Sequence, residues 1–163
     1  ISRRHSFFCG KFLFWCKPEG EQMSRLIEQL KIHEGVRTHA YFCSEDKITV
    51  GVGRNVDANG GLGLSEDEID YLLSNDIKRC RDELELNFDW FKELDEVRQD
   101  AMINLCFNLG ITSLRKFSKA IAAMSAQDYD TAAMEFLDSR WANQVGTRAL
   151  DVTDMIRTGE YDE

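Results

Sequence analysis

The stretch best equipped for chemistry is Ile32-His33-Glu34-Gly35, followed by Cys43 and then by Thr49-Val50-Gly51-Val52-Gly53. Glu34 closes a helical pattern, just ahead of a glycine and a hairpin-like segment. A carboxylate placed there can face a cleft and lose part of its hydration. Burial disfavours the charged form, so such a group holds its proton closer to neutrality and can donate it. Breaking a glycosidic bond needs an acid of this kind to protonate the leaving oxygen. Spacing alone does not separate that role from a solvated charge at a helix end. His5, His33 and His39 share no metal-ligand spacing, so neither a metal site nor a cofactor is expected.

The elements that must position these groups follow from periodicity. Met23, Leu26, Ile27 and Leu30 fall on one helical face, and Gly35 is a helix stop. Residues 39–53 read as a hairpin, with Ser44-Glu45-Asp46-Lys47 as its turn and β-branched Ile48-Thr49-Val50 continuing through Gly51-Val52-Gly53. Asp57 to Gly61 has loop chemistry. Ser65 and Glu68 form a capping box that opens a long helix, sustained by Ile69, Leu72, Leu73, Ile77, Cys80 and Leu84 to about residue 86. Asp95 caps a second helix that Gly110 ends, and two more are marked near residues 129–137 and 149–159. The expected fold class is α+β: a small N-terminal β-containing lobe, one long connecting helix and a larger all-helical lobe. Such a shape leaves a cleft between the lobes.

Composition narrows the function classes. The chain has 163 residues, 30% of them charged, and a net charge of −9. A nucleic-acid binder needs a basic face to displace counterions, and none stands out. Five widely spaced cysteines without a CxxC pair are neither a disulfide framework nor a zinc ribbon, and suit a reducing compartment. Residues 1–22 differ from the rest, carrying +2 against −11 for residues 23–163. They are expected to be a leader outside the folded domain, with a natural start at Met23 and the domain over 23–163. Their apolar core from Phe7 to Cys16 is interrupted by Lys11 and falls short of the roughly 20 residues that span a bilayer. Stable membrane insertion and export by the leader are therefore not expected.

Glu34, eight residues, Cys43, five residues and Thr49 match the Glu-x8-(Asp or Cys)-x5-Thr signature of the phage-type lysozymes, and the chain resembles that family well beyond it. Tyr41, Gly51 and Gly53 fit the family hairpin. Phe107-Asn108-Leu109-Gly110 is similar to its Phe-Asn/Gln-x-Gly segment, Ser139-Arg140-Trp141 with Gly146 and Arg148 to its Ser-Arg-Trp…Arg segment, and Arg157-Thr158-Gly159 to its closing helix end. The resemblance covers residues 23–162.

That resemblance implies a lysozyme-like fold and an endolysin muramidase, cutting the β-1,4 bond between N-acetylmuramic acid and N-acetylglucosamine in peptidoglycan. Glu34 would be the general acid, and Cys43 and Thr49 would hold the attacking water. Arg148 would pair with Glu34, while Asn55, Phe107, Asn108 and Trp141 would line or support the sugar site. It further implies a monomer that stays in the host cytoplasm until release to the wall, with a membrane-opening holin-type partner. Cys43 changes the physics of its position. An aspartate would be ionised at neutral pH, whereas a thiol with an ordinary pKa of about 8.5 is mostly neutral. Two alternatives stand beside the hydrolase: a catalytically idle peptidoglycan-binding domain and a lytic transglycosylase. Glu34 and Thr49 speak against the first, and a threonine for water against the second.

The acidic charge yields a prediction. Peptidoglycan carries carboxylates, so repulsion slows encounter until salt shortens the Debye length from about 10 Å to about 3 Å. Lysis of purified walls should hold or rise as sodium chloride goes from about 0.1 M to about 1 M. A steady fall in turbidity-clearing rate over that range would refute this.

Overall fold

A computed structural model describes residues 19–161, with side chains from residue 24. The leader reading for residues 1–18 lies outside the described residues. Contacts divide the chain after Leu64 into two compact units.

The first unit opens with helix α1 (Glu19–Glu34), followed by strands β1 (Arg37–Phe42), β2 (Ile48–Gly51) and β3 (Arg54–Asn55). The helix pattern expected to open at Met23 begins four residues earlier, at Glu19. The strands form one antiparallel sheet in the order β1-β2-β3. The turn at 44–47 falls as expected, closed by a hydrogen bond from the Asp46 N–H to the Cys43 carbonyl (3.0 Å). The reading of Gly51-Val52-Gly53 as continuous strand is corrected too. β2 stops at Gly51, Val52 and Gly53 turn the chain, and β3 follows.

The second unit holds α2 (Glu66–Asn87), a 3-10 turn (Asp89–Glu93), α3 (Glu96–Leu109), α4 (Ile111–Leu114), α5 (Ser118–Ser125), α6 (Tyr129–Leu137), α7 (Arg140–Val145) and α8 (Thr147–Thr158). α2 begins where the capping box placed it: the Glu68 carboxylate accepts from the Ser65 N–H at 2.8 Å and from its hydroxyl at 2.9 Å. Asp95 caps α3 by accepting from the Arg98 N–H. Phe91, Met102, Leu105, Leu114, Phe136 and Ile156 are fully enclosed, each worth about 1.5–3 kcal/mol of burial. Thr153, buried among them, donates to the Ala149 carbonyl one turn back, so its hydroxyl is satisfied. The α+β class and the helical character of the larger unit hold as read from sequence. Among the described residues, no helix is long and apolar enough to cross a membrane.

The acidic excess is confined to this unit. Residues 65–163 hold 11 basic and 22 acidic side chains, while residues 24–64 hold five of each.

Arg98 ties three helices together. Its guanidinium donates to the carbonyls of Ile156 (2.7 Å) and Arg157 (3.1 Å), pairs with Asp95 at 2.6 Å and stacks 3.8 Å over the Tyr129 ring. The last carbonyls of a helix have no partner within it, and here Arg98 supplies one. Arg98→Met keeps the stem and removes these donors. It should lower unfolding free energy by about 2–4 kcal/mol, read from urea denaturation followed by circular dichroism.

Candidate active site

The hairpin unit places its candidate residues through strand register. Thr49 stands opposite Tyr41 on one side and Asn55 on the other. Directly opposed residues share a face, and alternate residues along a strand return to it. Tyr41, Cys43, Thr49 and Asn55 therefore share one face of the sheet. The ladder continues past β1, since the Cys43 N–H donates to the Lys47 carbonyl at 3.0 Å. Thr49, in the central strand, is only 3% exposed, and its hydroxyl donates to the Lys47 carbonyl at 3.1 Å.

Cys43 is half-buried and unbridged. The backbone N–H of Glu45, then that of Lys47, hold its thiol below the ordinary range, against a smaller upward push from lost hydration. The Thr49 hydroxyl adds a further polar contact in the same direction. The hairpin turn thus favours the anionic sulfur, a property that residue type alone did not show.

Glu34 is the last residue of α1, and its side chain is exposed. The partial desolvation expected of it is not supplied by the hairpin unit. Its carboxylate lies against the turn after β2: a Cβ on Gly53 would sit 3.6 Å from Glu34 Oε2. Glu34 and the Thr49 strand therefore belong to one local structure.

Asn55 is committed to the loop that follows. Its Oδ1 accepts from the Asp57 N–H at 2.9 Å, and its backbone carbonyl from the Leu62 N–H at 2.9 Å. Asp57 in turn accepts from the N–H groups of Asn59 (2.8 Å) and Ile48 (3.4 Å). Gly61 closes this turn so tightly that a Cβ would collide with the Asp57 backbone and with Asn55 Oδ1, so no other residue fits.

The helical unit carries the other candidates. Arg148, near the start of α8, donates through Nε (3.1 Å) and Nη2 (2.7 Å) to Asn104 Oδ1. A neutral amide thus holds the guanidinium in place. Phe107, 45% exposed, lies one turn beyond Asn104 on α3. Phe107, Asn104 and Arg148 line a pocket of about 450 Å³ with Leu73, Ile77, Asp100 and Ile103. Asn108 and Trp141 form a separate pair, in which the indole N–H donates to Asn108 Oδ1 at 2.8 Å. Trp141 is 3% exposed, so it supports Asn108 rather than offering a surface of its own. Asn104 is the residue that sequence reasoning missed. The available signal was its position on the same helical face as Phe107 and Asn108. Among the described residues, no group of three or more His, Cys, Asp or Glu side chains is arranged to hold a metal ion.

A helix ending on a carboxylate beside a small antiparallel sheet, together with a separate helical unit, is the architecture of a lysozyme-type glycoside hydrolase. The sequence matches the model of the phage lysozyme family over residues 31–154, a span that includes every candidate residue above. The chain belongs to the phage lysozyme family and is a lysozyme-type hydrolase of peptidoglycan. It is 25% identical to the probable T4-type lysozyme 2 of Dictyostelium discoideum over 167 residues, which cover 86% of this chain and 98% of that protein. It is 28% identical over 113 residues to the endolysin of Acyrthosiphon pisum secondary endosymbiont phage 1, covering 69% and 74%. It is also 26% identical to the pre-baseplate central spike protein Gp5 of Enterobacteria phage T4, over 84% of this chain and 28% of that protein.

Asp57 provides a pH test of the loop. Its bonds to the N–H groups of Asn59 and Ile48 hold its carboxyl below the usual carboxylate range. A depressed folded value means that its stabilisation is complete above about pH 4 and disappears as pH falls through the lowered value. Asp57→Asn should therefore lower the urea midpoint at neutral pH, and the gap to the parent should close towards about pH 2. An equal gap at both ends would show that the charge of Asp57 is not what holds the loop.

Proposed function

We propose that the protein is an endolysin muramidase that hydrolyses the β-1,4 bond between N-acetylmuramic acid and N-acetylglucosamine, with Glu34 as the general acid. The observation that carries this reading is the position of Glu34. The carboxylate ends α1 against Gly53, in the same small unit whose sheet presents Cys43 and Thr49 on one face. Protonation of the glycosidic oxygen by Glu34 lets the leaving sugar depart, and water completes the cleavage at the anomeric carbon. Thr49 and Cys43 hold that water. The Thr49 hydroxyl offers a fixed oxygen, and the Cys43 thiol, its pKa lowered by the turn N–H groups, stands where the family also admits an aspartate. Asn55 shapes the adjoining loop. On the helical unit, Phe107 offers an apolar face to a sugar ring and Asn108, braced by Trp141, offers an amide. Arg148 offers a cation for the carboxylates of the substrate.

The deciding experiment is release of soluble muropeptides from purified peptidoglycan, analysed by mass spectrometry for the parent and Glu34→Gln. The parent should release disaccharides with reducing ends. The variant should be slower by roughly 10²–10⁴-fold, the usual contribution of a positioned general acid. Products lighter by one water would assign a lytic transglycosylase instead. Wall binding without release by the parent would reduce the protein to a binding domain.

A further inference from the structure

Arg148 is bound differently from the other paired arginines of the helical unit. Arg79, Arg81, Arg98 and Arg157 each meet a carboxylate. Arg148 meets an amide: its Nε and Nη2 converge on the single oxygen Oδ1 of Asn104, at 3.1 and 2.7 Å. Two donors on one edge sharing one acceptor fix the plane of the guanidinium and keep Nη1 outside the bond. A carboxylate in that place would bind arginine more strongly than an amide does, so holding strength alone does not account for Asn104.

The same pocket contains an acid, and that acid is held by other groups. Asp100 lies one turn before Asn104 on α3 and lines the pocket with Arg148. Its Oδ2 accepts from the Tyr161 hydroxyl at 2.6 Å, and its Oδ1 lies 3.7 Å from Arg81 Nη2. Both oxygens of Asp100 are thus engaged away from Arg148, in a unit where acidic side chains outnumber basic ones by 22 to 11.

We infer that Asn104 is a positioning residue for substrate binding. It orients the Arg148 guanidinium through a neutral acceptor, so that the cation meets substrate carboxylates in a preset geometry with its charge intact. This rests on the reading of Arg148 as the group that meets those carboxylates. A long side chain loses rotamer freedom when it grips a ligand, and orienting it beforehand lowers that cost. Asn104→Asp would hold the same plane but cancel the charge, while Asn104→Ala would keep the charge and lose the plane.

The test follows release of reducing ends from soluble, uncross-linked peptidoglycan strands, either native or with their carboxylates converted to amides by carbodiimide and ammonia. The full-length parent is compared with Asn104→Ala, Asn104→Asp and Arg148→Met, and circular dichroism melts establish that each is folded. Asn104→Ala should raise KM on native strands by roughly 3- to 10-fold, with a much smaller change in kcat. On amidated strands most of that KM penalty should disappear, which a merely structural loss would not do. Asn104→Asp should raise KM on native strands at least as much, and it carries the test should Asn104→Ala fold poorly. Arg148→Met should show the same dependence on substrate charge with a larger penalty. Equal penalties for Asn104→Ala on both kinds of strand would overturn the inference, as would a parental KM for Asn104→Asp on native strands. If Arg148→Met alone shows the charge-dependent penalty, Asn104 does not position it, although the reading of Arg148 stands. If Arg148→Met shows none, that reading falls and the inference falls with it.

Discussion

The helical unit depends on one guanidinium meeting needs that no local interaction can satisfy. α8 ends with carbonyls that its own helix leaves unbonded, and Arg98 of α3 donates to two of them. The same group neutralises the cap of its own helix through Asp95 and covers the face of Tyr129 on α6. α3 carries Asn104, Phe107 and Asn108, while α8 carries Arg148. Joining α3 to the far end of α8 sets the line along which Asn104 can reach Arg148 at the near end. Secondary structure thus becomes a site through a structural arginine that touches none of the groups proposed to meet sugar.

The hairpin unit works by a different constraint, the parity of a strand. Thr49 is flanked on both sides, so its face and its burial are fixed together, and a slip of one residue would turn it away. The turn that joins β1 to β2 then does a second job by aiming backbone N–H groups at Cys43. An oxygen acid at this position carries its own charge. A thiol borrows stabilisation from the backbone, so the chemistry of Cys43 depends on the shape of the turn as well as on the residue.

Features with local causes were legible in the sequence. Ser65 and Glu68, Asp95, Gly110 and the polar run at 44–47 mark element ends because the groups that satisfy them lie within a few residues. The long α2 was equally clear from its repeating apolar positions. α4, α5 and α7 were not, because helices of four to eight residues are too short to show a period. Arg98 was invisible for a different reason: its partners lie 58 and 59 residues away and are carbonyls, which every residue has. Among the candidate site residues, the shared face of Cys43 and Thr49 follows from spacing once the register is known. The hydration of Glu34 does not, because burial is a property of what surrounds a residue and not of its neighbours in the chain. Asn104 lay hidden for the same reason, a polar residue in a helix whose only mark is the side chain it holds.

Trp141 has an optical consequence. Its indole is enclosed in the core, yet its N–H is bound to the side chain of Asn108, which reaches the surface. The emission of an indole shifts with the polarity and hydrogen bonding of its surroundings. A saccharide that draws the Asn108 amide towards itself would thereby change the colour of light emitted from inside the protein. Any movement of that amide would alter the one hydrogen bond that the Trp141 indole N–H makes.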